Sequence, residues 1–171
     1  TAAESAASAA ELLLEDAAGL GERLAEAVLD RGVVAVLGRG PARAAAEMGA
    51  LTLKESGVMA ESFATAAFRH GPFELAGPDL AAVVIATEPE TRALDLGVAS
   101  DLVRAGASVV VLGPDGSAPD GALGVPIPPV DRLLGSAVSI VPIQLLAWRL
   151  AIERGRTPGV YTRASKVTTR E

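Results

Sequence analysis

An α/β fold, an αβα sandwich around a parallel sheet of about five strands, is what three features of this sequence predict. Short, continuous apolar runs alternate with stretches of helical periodicity. The connections between runs are too long for hairpins, and the runs themselves read as strands covered on both faces. A length of 171 residues matches one domain, large enough to bury a core without staples.

Taken in order, residues 4–30 read as one Ala-rich helix whose apolar face carries Leu12, Leu13, Leu20, Leu24, Val28 and Leu29. Gly19 and Gly21 weaken its middle, where a break is expected. Val33 to Leu37 is the first buried strand; Gly38-Arg39-Gly40 turns the chain, and Pro41 opens a helix running to about Gly57. Ala81–Ala86 is the next strand, followed by a helix at about 89–105, and Ser108–Leu112 is a third. Gly113-Pro114-Asp115-Gly116 is a strong turn signal, and Val125–Ile127 fits a short fourth strand between prolines. A strongly apolar helix at 135–154 stops at Gly155, and residues 156–171 are polar and irregular.

Composition narrows the function. Lys and Arg number 15 against 21 Asp and Glu, giving −6, with no basic run and only 3% aromatic residues. Neither a phosphate-backbone partner nor a base-stacking platform is expected, so no nucleic acid partner. Zero cysteines exclude a disulfide framework, a thiolate nucleophile and cysteine-ligated zinc; one histidine without an HExxH pattern argues against a catalytic metal. No cofactor is expected. No apolar run reaches the roughly 18 residues of a membrane span, and the start at Thr1 lacks a signal-peptide pattern. A cytoplasmic protein without a membrane partner is the expectation. A start at Thr rather than Met also fits a piece of something longer.

Candidate chemistry lies in four places. Gly38, Arg39 and Gly40 close the first strand and open a helix, where backbone N–H groups and the helix dipole favour a polar or anionic ligand; the same triplet also serves as a plain tight turn. Glu55 lies near the end of that helix with Lys54 as a cationic neighbour, a pattern shared by solvated helix ends. His70, in Arg69-His70-Gly71-Pro72, is the chain's one imidazole. Lys166 stands in the terminal stretch, beside a β-branched Val167-Thr168-Thr169 run. Trp148 and the Gln144 to Ala147 run read as core packing between helices.

Four segments, in this order, carry a resemblance to a known family: Leu37 to Gly40; Gly49 to Glu55 followed by Ala60-Glu61 and Arg69 to Pro72; Val141 to Trp148; and Ser165 to Thr168. Together they resemble the C-terminal SIS (sugar isomerase) half of glucosamine-6-phosphate synthases and the related aminosugar-phosphate deaminases and isomerases. The resemblance implies one SIS domain of flavodoxin-like form over 1–171, with a leading helix at 1–30, an α/β core at 33–155 and a C-terminal active-site loop at 156–171. It implies catalytic roles for three residues. Glu55 would shuttle a proton between C1 and C2 of a ring-opened sugar. His70 would assist ring opening from a neighbouring subunit. Lys166 would contact the sugar carbonyl, beside a substrate-binding Ser165. Such chemistry needs a carboxylate held beside the carbon, and a lysine can activate the carbonyl as an imine. The implied partners are a sugar phosphate of the fructose 6-phosphate or glucosamine 6-phosphate class, a second copy in a homodimer, and an N-terminal SIS half.

The departures from the family's pattern are specific. Thr52 stands where the synthases carry a second lysine, and the Glu55–His70 interval is one residue shorter, which brings the chain nearer the deaminase and ketose/aldose-isomerase branch. The family's serine-rich phosphate loop is matched here by Thr87-Glu88-Pro89-Glu90-Thr91, whose carboxylates repel a phosphate. Isomerisation or deamination as half of a larger module is therefore the expected function. A non-catalytic sugar-phosphate-binding or assembly domain is the alternative, and a nucleotide-binding domain a weaker one.

Overall fold

A computed structural model describes residues 1–161 and 163. Ser165 and Lys166 lie outside the described residues. The chain forms α1 (Ala2–Leu14), α2 (Ala17–Val28), β1 (Val33–Gly38), α3 (Ala42–Glu55), β2 (Ala60–Ala64), α4 (Thr65–Phe68), β3 (Leu80–Ile85), α5 (Arg92–Arg104), β4 (Ser108–Gly113), β5 (Leu123–Pro126) and α6 (Arg132–Glu153). The five strands pair in the order β2-β1-β3-β4-β5, all parallel, as a doubly wound sheet.

Alternation along the strands splits the core in two. Val34 and Val36, Ala81, Val83 and Ile85, and Val110 and Leu112 face α1, α2, α3 and α6. Ala35 and Leu37, Ala82 and Val84, and Val109 and Val111 face α4 and α5. Every residue of β3 is buried, which accounts for its uninterrupted apolar sequence.

The structure differs from the sequence reading at four points. β2 had no strand signal because Glu61 and Ser62 interrupt its apolar pattern; as an edge strand it buries Ala60 fully, leaves Glu61 exposed and covers Ser62 to Ala64 partly. The leading helix does break, but at Glu15–Asp16, where Asp16 caps α2 by accepting from the Gly19 N–H at 3.2 Å. Gly19 is required under that cap, since a β-carbon there would come 2.4 Å from Asp16 Oδ1, while Gly21 lets α2 approach the Leu145 carbonyl of α6. Finally, α6 starts at Arg132, three residues early, because Asp131 caps it through the Leu133 N–H at 3.0 Å. At 22 residues this helix is long and apolar enough to cross a membrane, contrary to expectation. Its Val138, Ile143, Leu146 and Leu150 are nevertheless buried in the core beside α2 and α3.

Candidate functional site

Each helix that follows a strand begins at the carboxyl edge of the sheet and returns to the amino edge. Gly38-Arg39-Gly40 and the start of α6 therefore share the carboxyl edge, whereas Glu55 and the end of α6 lie toward the amino edge. The six residues of β1, at about 3.3 Å each, separate the two by roughly 20 Å. Each edge carries a cleft.

The carboxyl-edge cleft, about 240 Å³, is lined by Thr87 to Glu90, Pro114, Ile127 to Val130 and Arg132. Size and position outside the carboxyl ends of β3, β4 and β5 would favour it as a ligand site. The buried charges at this edge, however, already hold one another. Glu88 is buried and accepts from Arg132 Nε at 2.6 Å. Arg39 Nε donates to Asp95 Oδ1 at 3.0 Å, and Thr91 donates to the other oxygen at 3.3 Å. The Asp95 carboxylate is fully buried; burial raises its pKa, and the Arg39 hydrogen bond and charge oppose that shift. The buried Thr65 hydroxyl lies against the same carboxylate without a hydrogen bond of normal geometry. Arg39 thus fastens the turn after β1 to α5. Position 38 requires glycine because a β-carbon would meet the Ala42 carbonyl at 2.4 Å, and Gly40 adopts φ +55° beside Glu88 and Arg132. The sequence reading counted Glu88 among charges that repel a phosphate; its charge is matched by Arg132, and Glu90 remains exposed.

At the other edge, a cleft of about 170 Å³ lies between α3, α6 and residues 156–161. Thr52, Glu55, Gln144, Trp148, Arg156 and Tyr161 bring a carboxylate, an amide, a guanidinium, a phenol and an indole to one small space. Glu55 is exposed on the last turn of α3 and has no ion pair among the described residues. Lys54, expected as its cationic neighbour, instead pairs with Glu61 of β2 at 3.1 Å, and that hydrogen bond lowers the Glu61 pKa. The Tyr161 phenol lines the same cleft as the Glu55 carboxylate, whose negative charge, ahead of partial burial and hydrogen bonding, raises the phenol pKa.

His70 is exposed in the turn after α4. Edge-to-face contacts between Phe63 and Phe68 (5.3 Å) and between Phe68 and Phe73 (6.2 Å) build that turn, which an Arg69–Asp101 ion pair ties to α5. His70 follows α4, which packs on the face of the sheet opposite α3, and it does not line the Glu55 cleft. Of the sequence-selected residues, Gly38, Arg39 and Gly40 share one edge, Glu55 occupies the other, and His70 does not join Glu55.

Four cleft residues were missed. Trp148 and Gln144 had been assigned to core packing, yet Trp148 is 39% exposed and both line the Glu55 cleft. Their spacing of four on α6 puts them on one helix face, a signal the sequence did contain. Arg156 and Tyr161 sit in an irregular stretch whose path no periodicity reveals.

Comparison with known proteins agrees with this architecture. The SIS domain family model matches residues 29–154. The chain is 29% identical over 161 residues to a glutamine–fructose-6-phosphate aminotransferase (isomerizing) of Pyrobaculum aerophilum, covering 92% of this chain and 27% of that protein. It is 33% identical over 168 residues to a Streptomyces coelicolor protein named as a candidate D-galactosamine-6-phosphate deaminase, covering 91% of this chain and 43% of the other. The chain thus spans less than half the length of either relative. Among solved structures, tagatose-6-phosphate ketose/aldose isomerase from Escherichia coli superposes with a TM-score of 0.76 at 22% identity, over 95% of this chain and 47% of that one. This chain belongs to the SIS domain family.

Proposed function

We propose that this chain is the C-terminal SIS half of a module that interconverts an aldose and a ketose, or deaminates an aminosugar, as hexose 6-phosphates. Glu55 carries the proton between C1 and C2. The observation behind this reading is the open Glu55 carboxylate in the α3–α6 cleft, unpaired among the described residues, where a general base needs a free lone pair. Lys166 follows Tyr161 by five residues, a span of at most about 18 Å, so chain length alone allows it to reach the same cleft. There it holds or condenses with the sugar carbonyl, with Ser165 as its neighbour in substrate binding.

Two partners follow from what the cleft lacks. His70 follows a helix on the sheet face opposite α3 and is absent from the cleft's lining, so a histidine acting at this cleft comes from a second copy, which makes the unit a homodimer. The loop at Thr87–Thr91 contains no serine, so an N-terminal SIS half supplies the phosphate grip. The alternative of a sugar-phosphate-binding domain without turnover predicts binding but no exchange of sugar hydrogens.

The test mixes two inactive variants of the assembled module, Glu55→Gln and His70→Asn, and follows turnover of fructose 6-phosphate and glucosamine 6-phosphate. Half of randomly mixed dimers are heterodimers with one intact site, so activity returns to about a quarter of wild type. Single variants at wild-type activity, or no recovery on mixing, overturn the shared-site reading.

A further inference from the structure

The segment after α6 is fastened to the end of α3. Arg154 donates to the Gly57 carbonyl, and Arg156 fills the space over Gly57, where a β-carbon would come 2.4 Å from Arg156 Cζ. Gly57 adopts φ +80°, so no other residue is accommodated there without strain. Beyond these anchors Thr157 to Tyr161 form one wall of the Glu55 cleft, with Trp148 and Gln144 opposite on α6. We propose that Tyr161 is a positioning residue for Glu55: its hydroxyl donates to the carboxylate and holds it in one orientation, leaving the second oxygen for the sugar proton.

The inference rests on the reading of Glu55 as proton carrier. A glutamate on the exposed last turn of a helix samples many rotamers, whereas proton transfer requires the oxygen to stay within hydrogen-bond reach of the carbon-bound proton. A phenol suits this task because it donates without carrying charge, so it orients the carboxylate without neutralising it as an ammonium would. The charges facing the phenol are Glu55 from α3 and Arg156 from its own segment; the Glu55 effect dominates and moves the phenol pKa above its ordinary 10.0. The phenol therefore keeps its proton, and remains a donor, throughout the neutral range.

The chain contains one tyrosine and one tryptophan, both in this cleft, so optical signals report on it alone. Phenolate absorbance is titrated in the native chain and in Glu55→Gln, with circular dichroism marking the pH range in which each stays folded. The native midpoint lies above 10.0 and falls toward it in Glu55→Gln. Equal midpoints overturn the contact. In the assembled module, Tyr161→Phe lowers the rate of solvent-deuterium exchange at C2 of the sugar roughly five- to ten-fold, with KM within about two-fold, as expected for one lost hydrogen bond. Unchanged exchange overturns the positioning role even where the titration shift is present. A wild-type exchange rate in Glu55→Gln instead overturns the proton-carrier reading, and leaves the phenol–carboxylate contact to be judged by the titration alone.

Discussion

At the carboxyl edge of the sheet, charge meets charge: Arg39 lies on Asp95, and Arg132 on Glu88. At the amino edge, one carboxylate stands open in a cleft with a phenol, an amide and an indole around it. Doubly wound sheets ordinarily bind ligands at the carboxyl edge, where strand ends and helix N-termini converge. Here the larger cleft occupies that edge, yet its buried acids are paired, and paired groups make poor acids or bases. The difference teaches that position in a fold nominates a site, while the state of its titratable groups decides what it can do.

Breaking the paired edge gives the largest effect. Arg39→Met leaves the Asp95 carboxylate buried without its counter-charge, at an expected cost of about 3 kcal/mol at neutral pH. Burial already raises the Asp95 pKa in the folded state, so its contribution to stability is fullest below the unfolded value and is lost as pH rises through the folded one. Without Arg39 the folded pKa rises further, so the variant's deficit is small near pH 4 and widens toward neutrality. Urea unfolding of both proteins at several pH values reads this directly, and a deficit independent of pH would contradict the pairing.

A smaller effect sharpens the other edge. Lys54→Met removes an exposed partner of Glu61 and costs less than about 0.5 kcal/mol, a difference erased by salt. Since Lys54 faces β2 rather than the cleft, the variant leaves C2 exchange in the assembled module unchanged. A marked fall in exchange would make Lys54 a tuning group for Glu55 after all.

The sheet's central strands were legible because burial on both faces writes an uninterrupted apolar run, as in Leu80–Ile85. β2 was not, because an edge strand needs only partial cover and tolerates Glu61 and Ser62. The break in the leading helix was foreseen, but its cause was misread: the glycines serve a cap and a close helix approach, and Asp16 does the stopping. For the site, helical spacing and family resemblance together singled out Glu55. Nothing local in the sequence reveals that Arg39 turns to a buried Asp95 56 residues away, or that Tyr161 returns to α3. Contacts between residues far apart in the chain depend on the assembled fold, and periodicity is silent about them.

On the proposed function, chemistry belongs to the α3–α6 cleft and not to the carboxyl edge. The most direct test compares two isosteric changes, Glu55→Gln and Glu88→Gln, in the assembled module, by solvent-deuterium exchange at C2 of the bound hexose 6-phosphate. Glu55→Gln keeps size and hydrogen-bonding capacity but cannot take the proton, so exchange falls by about 10²–10⁴. Glu88→Gln keeps a hydrogen bond to Arg132 and stays within about three-fold of wild type. Wild-type exchange in Glu55→Gln, or an equal collapse in Glu88→Gln, would contradict the account.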